Sequence, residues 1–306
     1  MKRILIAALV VLSMSAVSAQ PRIRVERMEN KNLEFHLDNK QYPGTLTLFL
    51  NLKNLENCNA LTGTTRYEVR HNGERILTLR PADPQSSVGY DYSYRTIRGR
   101  LDPPVDTTLV CRMPCSTRKP IRVIGGVYVL DKYRKPRAEQ RRLGTHFSLQ
   151  RGDTVYSARR GVVTDVKVAE KRAQDAPRVS FTSGSTSVRI EQRDGSFAWY
   201  VCLDGENLFV SEGDEVLPGT PLALAGTYDG ERYDVSVQFY YLRGVPGEGD
   251  IPEAEKVHFF PPFLTVEEGA VRLDHGRSYT PAMNEDLLTR EMTKKEIKRL
   301  RLGRGK

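Results

Sequence analysis

The chain has 306 residues, room for two domains, and carries 47 lysines and arginines against 38 acidic residues, a formal charge of +9. Beyond its first twenty residues it has no apolar run long enough to span a bilayer, which excludes a protein built on membrane helices. Its four cysteines lack a second closely spaced pair, which excludes a cysteine-held zinc knuckle.

The first residues read MKRILIAALVVLSMSAVSAQ. Lys2 and Arg3 supply a charged start, Ile4–Val11 an apolar run too short for a span, and Val17-Ser18-Ala19 a small-residue cleavage site. Residues 1–19 are therefore expected to be a cleaved signal peptide, and the mature chain to be periplasmic or secreted. Export argues against nucleic acid as a partner, and the positive excess points to anionic surfaces instead. Export also permits disulfides, and Cys58 is expected to pair with Cys111 or Cys115, all in the N-terminal half.

From residue 20 to 118 short runs alternate apolar and polar positions, as in Thr45–Leu52, Tyr67–His71 and Glu74–Leu79. Turn residues separate them at Tyr42-Pro43-Gly44, His71-Asn72-Gly73 and Pro81–Pro84. A period of two marks strands with one buried face, and several short strands of this kind read as a β-sandwich-like domain. Asn72-Gly73, between two alternating runs, predicts a hairpin. His36 and His71 stand alone and read as surface or turn residues.

Ser116–Pro120 is polar, closes on a proline and marks a boundary, so a second strand-rich domain is expected over residues 119–280. It contains an echo: Gly152-Asp153-Thr154-Val155 and Gly213-Asp214-Glu215-Val216, followed by turn glycines Gly161 and Gly219. Glycine supplies a positive φ, aspartate a local hydrogen bond, and valine the next inward position. Two such units fit a duplicated β-barrel in which each half covers the other. Ala169–Thr186 is a polar excursion, and Arg193-Asp194-Gly195 predicts a hairpin between Val188–Glu191 and Phe197–Val201. Over residues 281–306 the tail is expected to be helical and basic. Leu287, Leu288, Ile297 and Leu300 form a stripe, and Thr293-x-x-Glu296 forms a capping box. Its cations make it either a solvated end or a contact for an anionic surface.

Several stretches of the second domain resemble the lysostaphin or LytM-type zinc endopeptidases, which cut peptide cross-bridges of bacterial cell walls and share a duplicated hybrid motif fold. They are Arg151–Ala158 with Gly161–Val163, Ser187–Gly195, Trp199–Leu203, and Val210–Val216 with Pro218–Gly226. The resemblance covers about residues 120–245 and implies an all-β protein: a β-sandwich-like domain, a LytM-like barrel and a short basic C-terminal helix. In that family zinc is held by a His-x-x-x-Asp pair and the second histidine of a His-x-His, and two further histidines assist the attacking water. Three protein ligands leave one coordination position open, and the metal brings bound water to a pKa of ~7.

Carried onto this sequence, the His-x-x-x-Asp positions hold Arg142 and His146, an assisting histidine becomes Cys202, and the His-x-His becomes Ser236-Val237-Gln238. A slip of one residue would put Val235 and Val237 there instead. Arginine keeps its proton and lends no lone pair to a metal, and glutamine is a weak neutral ligand. The resemblance therefore implies a peptidase shell without its metal site. Its groove would be lined by Arg142, His146, Tyr200, Cys202, Ser236 and Gln238, with no catalytic residue and no cofactor. The expected partners are peptidoglycan or a wall hydrolase. Two alternatives stay open: an active zinc endopeptidase with ligands recruited elsewhere, such as His258 or His275, and a structural envelope module acting through the sandwich or the tail. His146 and Cys202 also allow a Cys–His nucleophile, against the plainer reading of a packing cysteine beside an ordinary histidine.

Overall fold

The computed structural model describes residues 20–124, 144–169, 185–227, 230–244 and 257–303. The expected signal peptide, Arg142 and most of the polar excursion lie outside these residues. Among the described residues no helix is long and apolar enough to cross a membrane.

The N-terminal strands are β1 (Arg22–Arg27), β2 (Leu33–Asp38), β3 (Leu46–Glu56), β4 (Gly63–Val69), β5 (Glu74–Leu79) and β6 (Gly89–Arg98). They form two three-stranded sheets, in the orders β1-β2-β5 and β4-β3-β6. Alternation sends Leu33, Phe35 and Leu37 of one sheet and Leu46, Leu48, Leu50 and Leu52 of the other into a common core with Val69, Leu79 and Val88. Each such buried side chain stabilises the fold by about 1.5–3 kcal/mol. The expected sandwich is present.

Its predicted hairpin is not. β4 pairs with β3 from Leu46↔Val69 to Leu52↔Gly63, whereas β5 pairs with β2, so Asn72-Gly73 carries the chain between layers. The turn is tied to the end of β2: Gly73 N donates to Leu37 O (2.9 Å) and Asn39 N to Asn72 Oδ1 (2.7 Å). Long-range pairing and burial have overridden a local turn preference.

The second body begins with β7 (Val110–Arg112), β8 (Ile121–Ile124), β9 (Gly144–Leu149), β10 (Thr154–Tyr156), β11 (Gly161–Lys167) and β12 (Thr186–Gln192). It continues with β13 (Phe197–Leu208), β14 (Glu215–Val216), β15 (Pro221–Ala225), β16 (Tyr233–Leu242) and β17 (Val257–Phe259). Its last strands are β18 (Phe263–Val266), β19 (Gly269–Val271) and β20 (Ser278–Tyr279). The main sheet runs β14-β11-β12-β13-β16-β9-β8-β20.

The sequence echo is an echo in space. Gly152 and Gly213 have φ of 84° and 94°, and Val155 and Val216 enter one core. Asp153 accepts from Gln150 N, and Asp214 from Ser211 N, each at 2.8 Å. The halves then exchange partners: β10 pairs with β15, and β14 with β11. Ala225 N donates to Asp153 O (2.8 Å) and Val163 N to Asp214 O (2.9 Å), so neither half closes its hydrogen bonds alone. Arg193-Asp194-Gly195 makes the expected hairpin between β12 and β13, with Gly195 at φ 87°. Gly161 is no turn residue. It is the first residue of β11, where a Cβ would stand 2.4 Å from Glu191 O, so close approach of β12 is what requires glycine there.

Cys111, Met113 and Cys115 sit in the barrel core, and β7 pairs in parallel with β18, so the chain joins the second body before residue 118. This also corrects the disulfide expectation. No disulfide joins Cys58, Cys111 or Cys115: Cys58 packs against the sandwich core, while Cys111 and Cys115 belong to the barrel core. Burial pushes the Cys111 thiol up to about 12.

Phe49 and Ile97 of the sandwich pack on Leu101, Phe197, Tyr240 and Leu242, and Thr45 N donates to Glu191 Oε2 at 2.7 Å. The tail forms two helices, α1 (Glu285–Thr289) and α2 (Lys294–Gly303), capped by Asn284 and by the expected Thr293–Glu296 box. Between them Glu291 receives Arg159 Nη2 at 2.6 Å, while Arg160 bonds Glu296 at 2.7 Å. The tail is therefore docked on the barrel.

Candidate ligand-binding groove

In β9, β16 and β13 the alternation decides what faces outward. Val235 and Val237 are each 1% exposed in the barrel core, so Ser236 and Gln238 point to the opposite face. Cross-strand register sets His146 beside Ser236, Ser236 beside Val201, and Gln238 beside Trp199. The next pair in that second row is Trp199 with Arg189 of β12. Two rows thus cross the sheet floor: His146–Ser236–Val201 and Gln238–Trp199–Arg189.

His146 Nε2 lies 3.5 Å from Ser236 Oγ, at the limit of a hydrogen bond. Burial lowers the His146 pKa, against Asp234, which raises it, and with His275, which lowers it further. The imidazole is accordingly neutral at pH 7. Ser236 and Gln238 are buried and neutral. Cys202 follows Val201 at φ 68°, an uncommon conformation for a residue with a side chain, and its carbonyl accepts from Gly226 N at 2.9 Å. Its thiol is buried.

Tyr200 does not line the groove. It pairs with Val237, shares that residue's parity, and is fully buried in the barrel core, where its hydroxyl accepts from Ala158 N at 2.8 Å. Burial raises its pKa far above the ordinary phenol range. Arg142 lies outside the described residues. His258 stands on β17 opposite Tyr241, with ring centroids 4.9 Å apart, an aromatic packing role. His275 is within electrostatic reach of His146.

These donors do not fit zinc. A hydrolytic zinc site needs three nitrogen, sulfur or carboxylate donors converging on one point. On this floor one imidazole faces a hydroxyl and an amide. Among the described residues no group of three His, Cys, Asp or Glu could hold a metal ion. What the floor offers is neutral hydrogen bonding suited to amide groups, with a cation at its far end. That cation, Arg189, and Trp199 fall in stretches that the sequence reading quoted for the scaffold and not for the groove. Both lie in strands it recognised, but their membership of the groove depends on pairing with β16, which no local pattern reveals.

No family model and no curated protein matches the sequence. Among solved structures, the catalytic domain of lysostaphin from Staphylococcus simulans is 16% identical, with a TM-score of 0.27, over 38% of this chain and 73% of that one. A putative glycyl-glycine endopeptidase lytM from Ruminococcus gnavus is 18% identical, with a TM-score of 0.26, over 38% of this chain and 42% of that one. Csd3 from Helicobacter pylori is 10% identical, with a TM-score of 0.31, over 92% of this chain and 82% of that one. Identity and TM-score are low in all three, and the fold is defined by the chain's own strand pairing.

Proposed function

We propose that this is an exported cell-envelope protein whose barrel is a catalytically degenerate counterpart of the wall endopeptidases, binding cell-wall peptide or regulating a wall hydrolase. The supporting observation is the opposition of His146 to Ser236, with Gln238 in the neighbouring row: neutral amide-binding groups at the positions where the resemblance calls for metal ligands. A peptide backbone presents alternating N–H and C=O groups, which a hydroxyl, an amide and a neutral imidazole can all engage. The tail adds a contact. On α2, Lys294, Lys295, Lys298, Arg299 and Arg301 stand against one acid, Glu296, which Arg160 already holds. That balance favours an anionic envelope surface.

The test uses purified mature protein. The expected result is substoichiometric zinc, no chelator-sensitive cleavage of wall peptides, and retention on purified peptidoglycan that Gln238→Ala weakens. Stoichiometric zinc together with chelator-sensitive cleavage overturns the proposal in favour of an active endopeptidase that has recruited His275 or His258. Retention that survives Gln238→Ala and is abolished by deleting residues 284–306 assigns binding to the tail instead.

A further inference from the structure

We propose that Arg189 and Trp199 form a carboxylate-accepting subsite at the inner end of the groove, where the sandwich meets the barrel floor. The proposal rests on the groove reading above and names the chemistry of the ligand's far end.

Arg189 and Trp199 are cross-strand partners, and the guanidinium carbon lies 5.5 Å from the indole centroid. A cation–π contact at that distance holds the guanidinium over the indole without spending its donors. Arg189 Nε and Trp199 Nε1 are both buried, and neither has a hydrogen-bond partner among the described residues. An orphaned buried donor costs about 1–3 kcal/mol, and more on a charged group. Two such donors on cross-strand partners, one on a cation, call for a ligand with two acceptor atoms and a negative charge. A carboxylate has both, and matches the planar fork of arginine; a neutral amide brings one acceptor and no charge.

The surrounding carboxylates leave the cation available. Asp165 lies across from Arg189 on β11, and no ion pair joins them among the described residues. Glu191, two residues along β12, accepts from Thr45 N of the sandwich. Phe49 and Ile97 cover the adjoining Phe197–Tyr240 pair, which closes the floor just beyond Trp199. Rows two residues apart on a strand are separated by about 7 Å. A short acidic peptide can therefore set its carboxylate at Arg189 while its backbone meets Gln238, Ser236 and His146.

Trp199 is the single tryptophan of the chain, so its fluorescence reports on this site directly. The probes are a synthetic wall stem peptide with free carboxylates and the same peptide fully amidated. Wild-type protein is expected to bind the acidic peptide with a change in Trp199 emission, and the amidated one about tenfold or more weakly. Arg189→Gln is expected to reduce acidic-peptide affinity to the amidated level, and Trp199→Phe, followed by calorimetry, to weaken it by a smaller factor. Thermal melts verify folding, and Arg189→Lys, which keeps the charge and loses the fork, serves if the glutamine variant does not fold. Equal wild-type binding of both peptides overturns the subsite and leaves the groove reading standing, as does acidic-peptide binding unchanged by the arginine variants. Binding of neither peptide overturns both.

Discussion

His146 has a neighbourhood that sets its protonation before any ligand arrives. Burial holds its pKa below the ordinary value of about 6.5, and His275 adds to that shift. A histidine with a depressed folded-state pKa contributes stability while neutral, and that contribution is lost as pH falls below the unfolded value. NMR titration should therefore place the His146 midpoint below that of a free imidazole. A midpoint at or above 6.5 would mean that an anionic group dominates the site and that the neutral floor is misassigned. Cys202 and Tyr200 stand two residues apart and would share a face in a regular strand, and the kink at Cys202 gives them different roles. Both belong to the Trp199–Leu203 stretch singled out in the sequence, yet Tyr200 turns into the barrel core while Cys202 occupies a left-handed kink.

At the scale of elements, the tail and the barrel share a buried ionic network. Arg159, 4% exposed at its side chain, bonds Glu291, Asp194 and Gln192, linking the α1–α2 connection to the turns after β10 and β12. Burial alone would lower its pKa, but the hydrogen bond it donates to Glu291 and the charge of Asp194 more than offset this. Removing one carboxylate from a buried cation is far more damaging than removing an exposed pair. Glu291→Gln is thus expected to destabilise the protein by about 1–3 kcal/mol, since Asp194 and Gln192 still satisfy part of the guanidinium. Denaturant unfolding measures this, and a change below ~0.5 kcal/mol would show that the tail is held by something else. Glu296 is kept ionised down to about 2, first by Arg160 and then by Thr293. A depressed carboxylate contributes stability above its unfolded pKa of about 4.3 and loses it as pH falls toward 2. Protease sensitivity of α2 should rise within that window; onset near neutrality would contradict the assignment.

At the scale of the whole molecule, sandwich and barrel meet over Phe197, Tyr240, Leu101 and Leu242, with the Glu191 carboxylate buried at the seam. Burial raises the Glu191 pKa, although hydrogen bonds from Thr45 pull it down. The ionised form is therefore a burden on the folded state at high pH, and protonation relieves it as pH falls through the raised pKa. Glu191→Gln is expected to raise Tm at pH 8, by a margin that shrinks as pH is lowered toward 5. A margin that does not vary with pH would show that Glu191 does not titrate there.

The amino-acid sequence by itself determined the two-body all-β plan, the duplicated Gly-Asp turns, the β12–β13 hairpin and the capping box of α2. Each rests on local physics: a period of two, a positive φ, or a side chain bonding its own backbone within a few residues. The tertiary structure alone decided that Asn72-Gly73 joins two sheets, that Cys58 packs on a different core from Cys111 and Cys115, and that Tyr200 belongs to the core. It also decided that Trp199 stands between Arg189 and Gln238 and that Glu291 grips Arg159. These outcomes depend on which strand pairs with which across long loops and on which face is buried, and that choice is made by the collective gain of closing two cores, beyond the reach of any short window of residues.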